Sequence, residues 1–490
     1  MPPREYNILP PSVKYRLATE ASYARTCLRK KHISRRALDD IKTVFAAKQA
    51  ELMAPIGAEF SQKDCIQRAV SKLYPFLHPK QHKGLTKVLD AIVECGSIQP
   101  ATIARTHAKQ NDTYAKNSRI QIDRLIRNEK IFDDDDGAWL RWFKLNTEDL
   151  TQLPLLIDWT EFHDDNHHDF LVSLLLDDKR TIPIISKTIT HWEVSSANPR
   201  RVTKASVIRR VLERLRKSTW QPIIIIGDRE FGTIPYLQLY SELRLDYCCR
   251  SSNDMIVFDQ SNRSLTAKQW INQKRESEEE KVVLWSTEET KEEKRLQRTC
   301  HGNPNGQISV DLQKAHITRE SRLFVPRVFI SKGPGMKEAW TLVTTLTTVP
   351  CSTLMTLYGH RWGCESMHKN AKDLWMGMGW KQVHIRKDSP DGPRRRDRMW
   401  LLVAMSFRVW LAVAQSADKQ GFQTLVNGRN RSARTEAKRN LSWNRLGQEI
   451  CLYFQGKQGG KALLLWKEAW RDWKTLSCQF DRCVRMGELS

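Results

Sequence analysis

The sequence predicts an α/β protein, and three observations between residues 150 and 250 support this prediction. Three short apolar stretches with the β-branched content of strands follow one another, at residues 153–162, 169–178 and 181–190. A segment with apolar residues at helical spacing, residues 200–217, comes next. A run of four isoleucines at residues 223–226 then indicates a strand that is buried on both faces.

The order of these elements narrows the fold. After the isoleucine strand, residues 233–243 have the pattern of a helix and residues 246–252 that of a strand. The order is therefore strand, strand, strand, helix, strand, helix, strand. An antiparallel set followed by right-handed crossovers onto parallel strands is the ribonuclease H-like topology.

The regions around this core predict four further parts. Residues 1–146 have a mostly helical, basic pattern, and Gly96 separates two helix candidates there. That arrangement is compatible with a helix-turn-helix that binds DNA, and equally with any helical hairpin. We expect the core to occupy residues 147–252 and 346–420, with a mainly β insertion at residues 253–345 between them. Residues 421–490 predict a basic helical region for DNA binding or dimerisation.

Charge and composition restrict the class of partner. The formal net charge of +24 favours a polyanion such as nucleic acid or an anionic membrane surface, with solubility alone as the alternative. Eleven cysteines without a CxxC pair indicate reduced thiols, an intracellular protein and no zinc site. The N-terminus lacks the apolar core of a secretory signal. We expect a cytoplasmic, nucleoid-associated protein.

One apolar run is a candidate for a membrane-spanning helix. Residues 399–414 are strongly apolar, but Arg408 interrupts them and they are shorter than the roughly 20 residues of a membrane span. We therefore expect a buried helix there and no membrane partner.

Two aspartates occupy the strand ends where α/β proteins collect their ligands. Asp158 lies in "LLIDWTEF" near the end of an apolar strand, and Asp228 follows the isoleucine strand in "IIIIGDREFG". Each has an alternative interpretation: Asp158 could begin a turn, and Asp228 could cap a helix that starts near Thr233.

A third carboxylate lies in "LYGHRWGCESMHKNAKDLW", residues 357–375. One helix with Ser352 as its N-cap would place Glu365 on the same face as Tyr358, Arg361 and Lys372, with Trp362 at the border of that face. An exposed face with an Arg361–Glu365 ion pair is the alternative. An exposed ion pair adds little stability, so it gives no strong reason for this face. A carboxylate that binds a metal, beside cations that bind phosphate, better explains why an acid, two cations and a tyrosine share one face.

Phosphoryl transfer on DNA gives a reason for three separated acids. Two Mg²⁺ ions, with Mn²⁺ as a substitute, require hard oxygen ligands. One ion activates the attacking water or 3′-hydroxyl, and the other stabilises the leaving oxygen. Arg361 would bind a phosphate through two hydrogen bonds, and Lys372 would add a compact charge.

The spacing Tyr358, Arg361, Glu365, Lys372 resembles the Y-(2)-R-(3)-E-(6)-K signature of a bacterial insertion-sequence transposase family (insertion sequence family four). The resemblance spans roughly residues 150–400. It implies a DDE enzyme for cut-and-paste transposition, with end nicking, a hairpin intermediate, its resolution and strand transfer. The implied catalytic and metal-binding residues are Asp158, Asp228 and Glu365.

The resemblance also implies double-stranded DNA as partner, both terminal inverted repeats and target DNA, bound by a homodimer. In such enzymes a base flips out and stacks on an aromatic residue of the insertion, and Trp340 has the corresponding place here. A role for Trp340 in the core of the β insertion is the alternative. Arg229, next to the second acid, would touch DNA or pair with Glu230. The expected DNA-binding residues are Tyr358, Arg361, Lys372, Trp340, Trp362, His368, Lys369, Arg250 and Arg229.

Two polar stretches each have two interpretations, and the whole sequence has two alternative functions. "HDDNHHD", residues 163–169, has metal-binding residue types but lies where a turn between strands is expected. "DSPDGPRRRDR", residues 388–398, is expected to be a basic loop that meets DNA phosphates or is solvated. The rival functions are a transposase-derived DNA-binding protein without catalysis and a related ribonuclease H-like nuclease.

Overall fold

The computed structural model divides the chain into two units, residues 1–60 and 61–490. The described residues all belong to the second unit. They are residues 61–75, 77–132, 137–162, 165–176, 180–195, 202–285, 308–333, 336–372, 378–380, 383, 385, 391–420, 443–454 and 465–471. The expected N-terminal and C-terminal regions therefore lie partly outside the described residues.

The described strands form one ten-stranded mixed sheet in the order β3-β2-β1-β4-β5-β10-β9-β8-β6-β7. This confirms the prediction of an α/β protein. The strands are β1 (Leu153–Phe162), β2 (His167–Leu175), β3 (Thr181–Thr190), β4 (Ile223–Gly227), β5 (Asp246–Ser251), β6 (Ile256–Phe258), β7 (Ser264–Thr266), β8 (Ile308–Ile317), β9 (Leu323–Lys332) and β10 (Trp340–Thr344).

The first five strands are those expected from the sequence. β1, β2 and β3 pair antiparallel, whereas β4 pairs parallel with both β1 and β5. The crossovers are α-helical, because α8 (Lys204–Ser218) precedes β4 and α9 (Ile234–Glu242) precedes β5. The apolar residues of α8 at helical spacing are buried, and they include Val207, Ile208, Val211, Leu212 and Leu215.

The segment expected as a β insertion continues the same sheet. β10 pairs antiparallel with β5, which places Leu342 opposite Arg250. β9, β8, β6 and β7 then extend the sheet outward. The segment also contains helix α10 (Ala267–Trp285), within the charge-dense stretch that we had expected to be part of a β module.

Helices precede the sheet in the chain. They are α1 (Gln62–Leu73), α2 (Pro79–Cys95), α3 (Pro100–Gln110), α4 (Ala115–Ile126), α5 (Glu129–Phe132) and α6 (Gly137–Thr147). The short α7 (His191–Val194) follows β3. Gly96 ends α2 in a left-handed conformation with φ of 64°, which glycine adopts without steric cost. Trp142 of α6 donates a hydrogen bond to the Pro183 carbonyl, which attaches this helical layer to β3.

The expected single signature helix is two helices. α11 (Cys351–Gly359) ends before α12 (Trp362–Lys372) begins, and the N-cap of α11 is Pro350 rather than Ser352. Gly359 and Gly363 flank the break. Each glycine costs about 1 kcal/mol in a helix interior, which favours an interruption at this point.

Two further helices close the fold, α13 (Gly392–Lys419) and α14 (Trp443–Phe454). α13 is the one described helix long and apolar enough to cross a membrane, but 94% of its apolar window is buried inside the protein. It is therefore packed as a core helix, as expected. The expected basic loop is wrong, because residues 392–398 form the first turns of α13, and Arg396 and Arg398 are buried.

Candidate functional site

Two carboxylates lie at the same level of neighbouring parallel strands, Asp158 within β1 and Asp228 directly after β4. In the β1–β4 pairing, Leu156 lies opposite Ile226. Asp158 and Asp228 each come two residues later, so the strand register brings them to one edge of the sheet. Asp228 also accepts a hydrogen bond from the Glu230 amide (3.0 Å), which fixes the turn after β4.

Helix α12 brings the third carboxylate to this edge. The Thr181 hydroxyl donates to the Gly363 carbonyl (3.1 Å) at the start of the helix. At its other end, the Lys372 ammonium donates to the Thr160 hydroxyl and to the Glu161 carbonyl (3.2 Å). Because both ends are attached to the sheet, the face that carries Glu365 is held beside β1.

The electrostatics of Asp158 show that the three acids are neighbours. Burial, the charge of Asp228 and, to a smaller extent, that of Glu365 together raise the pKa of Asp158 to about 7. Arg361 opposes the shift. We call Asp158, Asp228 and Glu365 the carboxylate cluster.

The carboxylate cluster fits a divalent cation. Its donors are carboxylate oxygens, which Mg²⁺ prefers, and their mutual repulsion would be relieved by positive charge. Within the described residues, the three carboxylates do not all approach to 4.8 Å of one another. Glu365 instead receives a hydrogen bond from Arg361 (2.7 Å).

Arg361 lies between the carboxylate cluster and an aromatic group. Its guanidinium is 6.0 Å from the ring centroid of Tyr358 and 5.3 Å from that of Trp362. Tyr358 is only 3% exposed, and its hydroxyl hydrogen bonds with Arg361. The expected contact of Tyr358 with DNA remains a prediction, and in this structure the buried phenol positions the arginine.

Trp340 and Trp362 are the aromatic side chains of this region that reach the surface. Trp340 begins β10, is half-buried, and packs edge-on against Tyr358 with 4.9 Å between ring centroids. Trp362 is 52% exposed. Both rings therefore have surface available to a ligand beside the carboxylate cluster.

The expected DNA contact of His368 remains a prediction, and the structure places this side chain largely below the surface. This residue is 9% exposed and lies behind Asp158, with 3.6 Å between its Nδ1 and the Asp158 Oδ2. Burial, with a contribution from Lys372, lowers the pKa of His368 to about 3, so the imidazole is neutral. Its Nε2 is 3.6 Å from the sulfur of Cys364, a residue that sequence reasoning missed. A Cys-x3-His spacing was the signal that could have found it.

The remaining expected DNA-binding residues lie closer to the surface. Lys369 is exposed on α12. Arg229 and Arg250 both pair with Glu338, at 2.7 Å and 2.9 Å. The expected Arg229–Glu230 pair is not formed, since Glu230 pairs with Lys204 (3.7 Å). Glu338 is a second residue missed from the sequence, because 109 positions separate it from Arg229.

The histidine-rich stretch is part of a buried network rather than an exposed turn. Arg396 of α13, with no exposed surface, pairs with Asp165 and donates from Nε to His167 (3.1 Å). Asp169 accepts a hydrogen bond from the Trp400 indole (2.7 Å) and lies 4.0 Å from Arg396. We call Arg396, Asp165, His167 and Asp169 the buried arginine cluster. Residues 163 and 164 of this stretch lie outside the described residues.

The comparison with known proteins can now be set beside this geometry. Residues 186–405 match the family model of the transposase DDE domain. The match supports a DDE-type transposase. Such enzymes bind and cleave DNA and generally use a divalent metal. The matched range contains Asp228 and Glu365, whereas Asp158 precedes it. No curated protein matches the chain.

Proposed function

We propose that the protein is a DDE-type transposase that moves an insertion sequence by cut-and-paste transposition, with Asp158, Asp228 and Glu365 as its catalytic, metal-binding residues. The observation that carries the proposal is that Asp228, at the end of β4, and Glu365, on α12, both act electrostatically on Asp158 of β1. Three acids that repel one another at a partly exposed sheet edge are stabilised by bound cations.

The proposed core is ribonuclease H-like. The order β3-β2-β1-β4-β5, with an antiparallel set followed by two parallel strands, supports this assignment. β8, β9 and β10 would then belong to the insertion that separates Asp228 from Glu365 in the chain.

The carboxylate cluster would hold two Mg²⁺ ions, with Mn²⁺ as a substitute, and the ions would supply activation of the attacking oxygen and stabilisation of the leaving oxygen. Arg361 would move from Glu365 to a DNA phosphate, because a guanidinium binds phosphate through two parallel hydrogen bonds. Lys372 would keep α12 attached to β1 through Thr160.

DNA would approach over the exposed cations and aromatics around the carboxylate cluster. Lys369 and Arg229 lie at the surface there, and Arg250 shares the carboxylate of Glu338 with Arg229. The net charge of +24 supports a polyanionic partner, here terminal inverted repeats and target DNA. Two copies of the chain would hold the two ends of the element.

The decisive experiment incubates the full chain and Mg²⁺ with DNA that carries the terminal repeats of the element. We expect excised products with flush or hairpin ends on a denaturing gel. Binding without cleavage would favour a transposase-derived DNA-binding protein. Cleavage of branched DNA without any preference for the repeats would favour a nuclease.

Glu365→Gln tests the metal role in the same assay. The variant keeps the shape of the side chain and one acceptor oxygen but loses its charge, so cleavage should be lost while binding to the repeats stays within about twofold of wild type. Glu213→Gln is the matched control, because Glu213 is a partly exposed residue of α8 that pairs with Arg209. Equal loss of binding and cleavage in Glu365→Gln would contradict the metal role.

Trp340→Ala tests the stacking of a flipped base. Stacking of a base on an aromatic ring contributes about 1–3 kcal/mol, and only hairpin formation requires the flipped base. The hairpin yield should therefore fall more than the rate of first-strand nicking. An unchanged hairpin yield would refute the stacking and leave Trp340 as a packing partner of Tyr358.

A further inference from the structure

A second set of potential ligands adjoins the carboxylate cluster. Cys364 and His368 are four residues apart on α12, so their side chains lie on one face of the helix. Asp158 approaches the same face from β1. One ligand atom from each of these three residues lies within 4.8 Å of the other two.

The chemistry of this second set differs from that of the carboxylate cluster. A thiolate and an imidazole are ligands that Zn²⁺ and Co²⁺ bind strongly, whereas Mg²⁺ prefers oxygen. Three protein ligands leave one position of a tetrahedral ion for water or another ligand. Cys364 is 1% exposed and Asp158 is partly exposed, so an ion would enter past the aspartate.

We propose that Asp158, Cys364 and His368 form a binding site for a thiophilic divalent cation such as Zn²⁺. The sequence did not predict this metal site, because it contains no CxxC motif and because Asp158 lies far from Cys364 and His368 in the chain. Asp158 belongs to both this site and the carboxylate cluster. A Zn²⁺ ion bound here would therefore withdraw Asp158 from the carboxylate cluster.

Cobalt spectroscopy tests the site without any DNA reaction. The full-length, metal-free protein is titrated with Co²⁺, and absorption from thiolate-to-cobalt charge transfer reports a sulfur ligand. We expect this absorption in wild type and its loss in Cys364→Ser. His368→Gln should weaken Co²⁺ binding by about tenfold or more, since even loss of an outer-shell partner costs 10–100-fold.

Cys95→Ser is the matched control for the thiol. Cys95 is a partly buried cysteine at the end of α2, where its thiol donates to the Ser97 carbonyl, and its loss should leave the absorption unchanged. Absence of a thiolate band in wild type, or its persistence in Cys364→Ser, would overturn the proposal. Because Cys364→Ser could fail to fold, an unchanged Co²⁺ affinity in His368→Gln would overturn it independently.

The consequence for activity rests on the proposed function. Zn²⁺ added to the Mg²⁺-dependent cleavage assay should inhibit wild type, and excess Mg²⁺ should relieve the inhibition, because both sites require Asp158. In Cys364→Ser, the Zn²⁺ concentration that halves its own cleavage rate should rise by about tenfold or more. An equal Zn²⁺ sensitivity of both proteins would overturn the shared-aspartate inference. If no DNA is cleaved at all, the proposed function fails while the cobalt result still decides the metal site.

Discussion

Two acidic clusters lie on the same face of the sheet, and they differ in how their charge is balanced. The carboxylate cluster is built around Asp158, and the buried arginine cluster contains Asp169, which pairs with Thr160 two residues further along β1. Arg396 reaches Asp165 and Asp169, and the Trp400 indole adds a hydrogen bond. The carboxylate cluster instead has three acids, and the guanidinium of Arg361 is the positive charge that acts on Asp158.

This difference separates a structural cluster from a candidate ligand site. Burial raises the pKa of both Asp158 and Asp169. The neighbours then act in opposite directions: Arg396 and Trp400 lower the pKa of Asp169, whereas Asp228 raises that of Asp158. A buried charge with its counter-charge in place stabilises the fold only weakly, and removing one partner is costly. In the carboxylate cluster, the counter-charge is Arg361, which hydrogen bonds with Glu365 and only partly offsets the raised pKa of Asp158.

The largest expected effect is the loss of DNA cleavage when an acid of the carboxylate cluster is replaced. Asp228→Asn should lower DNA cleavage by about three orders of magnitude or more, because a neutral amide replaces a charged metal ligand at a group on which the reaction depends. Thermal unfolding of the metal-free variant should match or exceed that of wild type, since one repulsive charge is removed. A single-turnover cleavage assay and a thermal melt measure the two quantities. Cleavage at a tenth of the wild-type rate would exclude Asp228 as a metal ligand.

The second effect is a loss of stability when the cation of the buried arginine cluster is replaced. Arg396→Met leaves Asp165 and Asp169 without their cation, so the free energy of unfolding should fall by about 3–5 kcal/mol. Denaturant unfolding measures this loss. Arg209→Met is the control, because Arg209 is partly exposed on α8 and exposed pairs contribute about 0–1 kcal/mol. Equal losses in the two variants would show that Arg396 is not a structural counter-charge.

The third effect is a pH dependence of folding stability that arises from Asp158 in the carboxylate cluster. The folded pKa of Asp158, about 7, lies above its ordinary value of 3.8, so the folded state favours the protonated acid. The metal-free fold therefore loses stability as pH rises from about 4 to 7, by an amount on the order of 3–4 kcal/mol. Asp158→Asn should stabilise the metal-free protein at pH 8 and have little effect at pH 4.

Thermal melts at both pH values, with and without Mg²⁺, measure this prediction. Mg²⁺ should stabilise wild type more than Asp158→Asn, because a ligand that binds only the folded state shifts unfolding by mass action. A destabilising effect of Asp158→Asn at pH 8 would show that the charged aspartate is compensated within the protein.

The strands of the core could be predicted closely because their patterns are local. β1 and β3 have the expected bounds, and four consecutive isoleucines identified β4. The break between α11 and α12 was not predicted, because the spacing of Tyr358 and Glu365 suits a continuous helix. Gly359 and Gly363 are the residues that favour an interruption there. The buried start of α13 was missed because a run of arginines is usually solvated.

The candidate site could be predicted only in part. The position of Asp228 follows from a strand end, which sequence patterns locate, whereas β1 continues past Asp158 to Phe162. The partners of Cys364 and Glu338 could not be inferred, because they depend on pairings between distant segments. The role of Arg396 was hidden for the same reason: its counter-charges lie about 230 residues earlier in the chain.

The smallest expected effect concerns Glu338, an acid shared by two arginines near the surface. Its side chain is 55% exposed, so Glu338→Gln should change the free energy of unfolding by less than about 1 kcal/mol. The variant frees Arg229 and Arg250 for phosphate and removes one negative charge, so DNA affinity at low salt should rise about two- to fivefold. Fluorescence anisotropy with labelled DNA at two salt concentrations measures the gain. Glu242→Gln is the matched control, because Glu242 pairs with Arg209 before β5, at the sheet edge opposite Asp228, and its loss should raise affinity less. Equal gains would mean that only net charge changed and that Arg229 and Arg250 do not face DNA.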